Sequence, residues 1–195
     1  MSLRQQTLDL AILGRLMRGP SHGYELRKHV NVVMGYLHKV SFGSLYPALR
    51  RLLDSGFICD CGAGRTTLIV GNRSRRVYHL TTSGQEHLTR ELAAAERQAV
   101  SDDDFGVRFS LFGITDPRTR LFVLRGRRDH IWSRLVALDE CVQPDQDAYT
   151  QELVRHQRES VAQEVAWLDQ VIAAEENASV NGTVPSGAYS TKENR

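Results

Sequence analysis

Glycine and proline punctuation most narrows what this chain can fold into. Gly19-Pro20, Ser55-Gly56, Gly71-Asn72, Asp116-Pro117 and Pro144 divide it into short apolar-striped segments followed by two long ones. Proline lacks the N–H that a helical ladder needs, and glycine ends a helix at little cost. In Thr7–Met17, Leu8, Ala11, Ile12 and Leu16 recur at helical spacing, and Gly19-Pro20 stops the run. Ser21 is placed to cap a second helix striped by Leu26, Val30 and Val33. A third helix is expected within Ser41–Asp54, with Leu45, Leu49 and Leu52 on one face. Tyr46, Arg50 and Asp54 fall on another face, with Arg51 beside them. Pro47 fits most easily in a first turn capped by Ser44, whereas a start at Ser41 leaves an irregular first turn.

Phe57–Cys61 and Arg75–Leu80 read as two strands around a basic, glycine-bearing loop, which is a hairpin pattern. Ser83 and Glu86 have capping-box spacing and open a fourth helix striped by Leu88, Leu92, Ala95 and Ala99. The polar run Ser101–Asp104 is the expected domain boundary, followed by a short aromatic segment, Phe105–Phe112. After Asp116-Pro117, a stripe of Leu121, Leu124, Ile131, Leu135, Leu138 and Val142 predicts a long helix. Asp145 or Asp147 opens another, striped by Val154, Val161, Val165, Leu168 and Ile172. These spacings approach a 3.5-residue period, able to pack helix on helix, each rod spanning roughly 40 Å. Two such rods bury too little surface to stand alone, so a second copy of the chain is the natural partner. Asn177–Arg195 is small, polar and aperiodic, and is expected to be a disordered tail. The organisation expected is therefore a first domain over 1–100, a helical domain over 101–176 and a tail over 177–195.

Charge separates the same halves. Residues 1–82 hold 12 Lys+Arg against 4 Asp+Glu, a balance of +8. The remainder holds 13 against 19, a balance of −6. A basic half attracts a polyanion by its field and by counterion release. Apolar runs fall well short of the roughly 18 residues of a membrane span, and the first residues lack a signal-peptide core, so a cytoplasmic protein without a membrane partner is expected. Cys59, Cys61 and Cys141 are too few to staple a fold. Cys59 and Cys61 with His79 fall short of tetrahedral ligation, so no metal or other cofactor is expected. The chain has no HExxH pattern, nucleophile elbow or phosphate-binding Gly-Lys-Ser/Thr loop, and an enzyme is not expected.

Three helices followed by a hairpin is the order of a winged helix-turn-helix. Its third helix fits the major groove of B-DNA, and its wing reaches phosphates or the minor groove. The expected fold is mainly α: this winged domain with a small β-hairpin wing, then an antiparallel pair of long helices for dimerisation. Four blocks carry a resemblance in order and spacing. Gly19-Pro20-Ser21-His22-Gly23-Tyr24-Glu25-Leu26 resembles the entry to the second helix in PadR-family transcriptional regulators. The run Ser41-Phe42-Gly43-Ser44-Leu45-Tyr46-Pro47-Ala48-Leu49-Arg50-Arg51-Leu52 resembles the family's recognition helix. Ser55-Gly56-Phe57-Ile58 and Arg75-Arg76-Val77-Tyr78-His79-Leu80-Thr81-Thr82-Ser83-Gly84 are similar to the blocks that follow. The two long helices, with Trp167-Leu168-Asp169 near their end, resemble the dimerisation domain of the larger subgroup. The wing between Ile58 and Arg75 has its own sequence.

The resemblance implies a homodimeric regulator of double-stranded DNA, a repressor acting on a pseudo-palindrome. Tyr46 is then a DNA contact, or else a packing tyrosine. Ser41 and Ser44 cap the helix or bind a phosphate at its N-terminus, and Lys39 is a phosphate contact. Tyr24 reaches a phosphate or packs in the core, and Arg50 reads guanine or stays in solvent. Arg73, Arg75 and Arg76 are the wing candidates, Arg76 with the alternative of pairing with a carboxylate. The resemblance also implies a small aromatic or drug-like effector. Phe109, Trp132 and Trp167 are its candidate residues, an ordinary aromatic core being the alternative. The competing function is a winged-helix module that binds protein without sequence-specific DNA binding.

Overall fold

A computed structural model describes residues 3–35, 39–60, 76–94, 102–140 and 147–181. The chain falls into two compact units, Met1–Thr115 and Asp116–Arg195.

The first unit begins with α1 (Leu3–Met17), which starts four residues earlier than its apolar stripe announces. Ser21–His22 form a two-residue strand, β1, in place of the expected helix cap, and α2 runs Gly23–Val33. The Glu25 carboxylate accepts from the His22 N–H (3.1 Å) and the Ser21 hydroxyl (3.0 Å), so α2 is still closed at its start. These two donors hold the Glu25 carboxyl below its usual pKa. Helix α3 (Phe42–Asp54) takes the earlier of the two starts, with Ser41 in the N-cap position and Pro47 inside the helix. The Leu45 N–H reaches the Ser41 carbonyl at 3.0 Å, so the first turn is made before proline enters. Proline's missing N–H then falls at an exposed position, where water can serve the carbonyl it leaves. Gly56 ends α3 with φ +69°, and the Phe57 and Gly56 N–H groups bond back to Leu52 and Leu53.

Strands β2 (Ile58–Asp60) and β3 (Val77–Leu80) pair antiparallel, with Cys59 opposite His79 and Asp60 opposite Tyr78. Strand β1 adds to the far edge of β3, pairing Ser21 with Tyr78, so the sheet order is β1-β3-β2. The expected hairpin is thus part of a three-stranded sheet, its first strand too short for any periodicity to announce. The expected wing residues Arg73 and Arg75 lie outside the described residues, as does Cys61. Among the described residues no cluster of three metal-ligating side chains occurs.

Helix α4 (Thr82–Ala93) is capped by Thr81, whose Oγ1 accepts the Gly84 N–H at 3.1 Å. The expected Ser83–Glu86 box does not form, because Ser83 Oγ instead donates to the Gly56 carbonyl at 2.9 Å. The expected boundary at Ser101–Asp104 runs into a helix, α5 (Asp102–Ser110), that belongs to the first unit. Asp104 is buried, accepts from Thr7 Oγ1 at 3.3 Å and pairs with the buried Arg108. A carboxylate so enclosed is part of a core, which is why this acidic run is no linker. A short 3-10 turn, Phe112–Ile114, closes the unit. The core joins Leu8, Ile12 and Leu13 of α1 to Leu26 and Val30 of α2, Leu45 and Leu49 of α3, Ile58 and Leu88.

The second unit is an antiparallel pair, α6 (Pro117–Glu140) and α7 (Ala148–Asn181). Helix α7 runs through Asn177–Asn181, where a tail was expected to begin; residues beyond lie outside the described set. Leu124, Ile131, Val161, Val165 and Leu168 are buried as expected, joined by Val123 and Val171. Leu121, Leu135, Leu138, Val154 and Ile172 are only half-buried, and Val142 is not described. Arg120 and Arg127 take buried positions instead, pairing with Glu175 (3.4 Å) and Glu164 (2.7 Å) of α7. Long arginine stems cover apolar surface while their heads find carboxylates, so a seam read only for apolar residues misses them. Among the described residues no helix is long and apolar enough to cross a membrane.

Two outcomes follow from the first unit. A Cβ on Gly84 would lie 2.0 Å from the Phe57 carbonyl oxygen, while one on Gly113 would meet nothing within 4 Å. Gly84→Ala is expected to cost about 1–3 kcal/mol in urea unfolding, and Gly113→Ala less than about 0.5 kcal/mol. His29 is held below the ordinary imidazole value of 6.5 by burial first, then by Arg18 and Arg15. The unfolded chain therefore takes up this proton first, and the stability tied to neutral His29 is full above pH 6.5 and declines as pH falls through the lowered value. Melting temperatures measured down to about pH 5 should fall less for His29→Gln than for the natural chain.

Candidate nucleic-acid interface

Helix α3 has two faces. Leu45, Ala48, Leu49 and Leu52 are buried, while Phe42, Tyr46 and Arg50 form an outward row at i, i+4 and i+8. Tyr46 is 52% exposed and Phe42 39%. Their rings stack at 5.8 Å with planes 23° apart, and the Arg27 guanidinium sits 4.3 Å from the Phe42 ring centre. Arg27 is itself fixed, its Nε donating to the Val40 carbonyl at 3.2 Å. The Tyr46 hydroxyl lies where a Cβ on Gly23 would meet it at 3.7 Å, so α3 and the start of α2 come together at this ring.

The N-terminus of α3 carries Ser41 and Ser44, both exposed, their hydroxyl oxygens 3.4 Å apart. Ser41 makes no side-chain cap bond, although it stands in the N-cap position. The first N–H groups of the helix thus keep their affinity for an acceptor, and the helix dipole favours an anionic one. Beside them Tyr24, Arg27, Lys28, Asn31 and Lys39 line a cleft of about 540 Å³. Tyr24 is 69% exposed, which settles against its packing in the core. In the wing, Arg76 is exposed and pairs with Asp60 at 3.3 Å. The neighbouring Tyr78 hydroxyl is pushed above its usual pKa by burial, against the pull of Arg76.

The expected contacts Tyr24, Lys39, Ser41, Ser44, Tyr46 and Arg50 are all exposed and belong to α2, α3 and the segment between them. Arg76 lies just before β3, its carbonyl 3.3 Å from Nδ1 of His22 at the start of α2, and Arg73 and Arg75 are not described. Sequence reasoning missed Arg27, Lys28 and Phe42. Phe42 was recoverable, since it shares the i, i+4 row of Tyr46 and Arg50 once the helix starts at Ser41. Arg27 was not, because its stacking on Phe42 is a tertiary contact.

The three candidate effector residues are divided between the two units, Phe109 in the first and Trp132 and Trp167 in the second. In the first unit Phe109 is half-buried between Phe105 (5.6 Å) and Phe112 (5.0 Å). In the second, Trp132 is 45% exposed, with Arg128 5.0 Å from its ring centre. Arg128 also pairs with Asp169 at 3.0 Å. Trp167 lies two positions from Asp169, about 200° round α7, so it faces a different flank from Trp132.

Three packed helices, an antiparallel wing and an outward row on the third helix define a winged helix-turn-helix protein. Residues 12–90 match the family described as "Transcriptional regulator PadR-like family". Over 83 residues it is 32% identical to the negative transcriptional regulator PadR of Bacillus subtilis (strain 168). That match spans 43% of this chain and only 43% of the relative's length. Among solved structures, Bacillus subtilis PadR in complex with operator DNA is similar at 22% identity. It covers 86% of this chain and 98% of its own, with a TM-score of 0.40. The same protein in complex with p-coumaric acid is similar at 20% identity, covering 87% and 99%, with a TM-score of 0.37.

Proposed function

We propose that the chain is a cytoplasmic transcriptional regulator that binds double-stranded DNA. It acts as a homodimer, as a repressor on a pseudo-palindromic operator. The observation that carries this reading is the outer surface of α2 and α3, where Tyr24, Lys39, Ser41, Ser44, Tyr46 and Arg50 are all exposed. Hydroxyls, cations and free helix N–H groups are the donors that phosphate oxygens accept, and a helix row can enter the major groove. Arg73, Arg75 and Arg76 extend the contact through the wing. The match of residues 12–90 to a family of transcriptional regulators supports the reading, and the name of the curated relative supports repression.

The second unit supports the dimer. Phe122, Trp132 and Val136 stay 43–45% exposed on the face of α6 turned away from α7. Such apolar area is removed from water when a second copy packs against it. A small aromatic or drug-like effector then acts by preferring one arrangement of the dimer over another, with Phe109, Trp132 and Trp167 as its contacts. Saturable quenching of tryptophan fluorescence by a phenolic acid, coupled to loss of DNA binding, is the expected sign.

The direct test is gel retardation with duplexes selected from a random pool. The natural chain should retain a related set of sequences with two-fold symmetry. Lys39→Ala should lower the slope of log affinity against log salt by about 0.9. Sedimentation should give twice the chain mass. Retention of no duplex at low salt would overturn the proposal and favour the protein-binding module.

A further inference from the structure

We infer that Phe42 is a specificity residue that reads the C5-methyl group of a thymine in the major groove. The inference rests on the DNA-binding function proposed above and names what one position of that surface recognises. Phe42 is the first residue of α3, and the N-terminal residues of a recognition helix are those that reach base edges. It does not serve the core: Leu45, Ala48, Leu49 and Leu52 fill that side of the helix, and Phe42 points with Tyr46 and Arg50 the other way.

A large apolar ring left 39% exposed among Arg27, Lys39, Ser41 and Ser44 gains nothing from phosphates. Apart from small ring C–H groups, every other edge group in the major groove is a hydrogen-bond donor or acceptor, and the methyl of thymine is the one apolar group that projects into it. The ring is also positioned before any ligand arrives. Arg27 covers a face 4.3 Å from its centre, held by its bond to Val40, and Tyr46 lies nearly parallel beside it. A face already occupied by guanidinium is poorly suited to stacking on an extruded base. The outward part of the ring remains for a small apolar group. Burying a methyl between a fixed ring and the groove floor corresponds to about a fourfold gain in affinity.

The test compares duplexes that differ only by that methyl. A duplex recovered from a random pool by the natural chain is resynthesised with deoxyuridine replacing each thymine in turn. Base pairing is kept and one methyl is lost. The natural chain should lose about fourfold in affinity at one symmetry-related thymine position and little at the others. Phe42→Ala should bind the thymine and deoxyuridine duplexes at that position equally, while Phe42→Leu, still apolar, should keep a preference for thymine. The natural-chain scan needs no variant, so it stands even if Phe42→Ala fails to fold. Indifference of the natural chain to every replacement, or an unchanged thymine preference in a folded Phe42→Ala, overturns the inference and leaves DNA binding intact. Failure to recover any duplex overturns both.

Discussion

The outward surface of the head exists because α3 is held by its other side. Leu45, Ala48, Leu49 and Leu52 are nearly removed from water and meet Leu13, Leu26 and Val30 in one core. Each of these leucines contributes roughly 1.5–3 kcal/mol by leaving water. The period of the helix then allows little choice about what faces out: the row one step along the chain, about 100° round the helix from the buried one. The same packing that stabilises the domain therefore presents Phe42, Tyr46 and Arg50 to solvent in a line. Pro47 is tolerated because it falls on the exposed side, where the carbonyl it leaves without a partner can be hydrated.

Around that helix the head is closed by backbone contacts that leave no room for a side chain. Gly84 lets the first turn of α4 lie against the Phe57 carbonyl, and Gly106 does the same for α5 against Val33. Thr81 and Ser83 donate to Gly56 and Phe57, so the turn after α3 and the start of α4 share their polar groups. On the other side, the buried Asp104–Arg108 pair with Thr7 ties α5 to α1. A buried ion pair adds little net stability over apolar packing, but it is costly to break singly, so it favours one register of α5 over others.

The helical pair is built on a different balance. Its seam mixes Leu124, Ile131, Val165 and Leu168 with the buried Arg120–Glu175 and Arg127–Glu164 pairs. Further arginine–carboxylate contacts to α7 or within it, among them Arg125–Glu176, Arg128–Asp169, Arg155–Glu152 and Arg158–Asp139, lie nearer solvent, where each contributes little. Charge pairing of this kind specifies which helix turns face each other more than it supplies stability. Much apolar surface, including Phe122, Trp132 and Val136, is left on the side away from the seam.

Local chemistry alone determined the order of α1 to α4, β2, β3 and the two long helices, the helix breaks at Gly19-Pro20 and Gly56, the inner stripes of α1 to α3 with Leu88 and Leu92 of α4, and the outward position of Tyr46 and Arg50; Ala95 and Ala99 lie outside the described residues. Each of these follows from periodicity or from a residue's own backbone limits, which travel with the sequence. Only the tertiary structure decided the rest. Strand β1 exists because β3 offers it an edge, and two residues carry no period of their own. Thr81 caps α4 because Ser83 is drawn to the Gly56 carbonyl, an acceptor supplied by a distant turn. Arg27 stacks on Phe42, Asp104 leaves the expected linker for the core, and Arg120 and Arg127 enter a seam read as apolar. In every case the deciding partner lies far along the chain, where spacing within one segment carries no information about it.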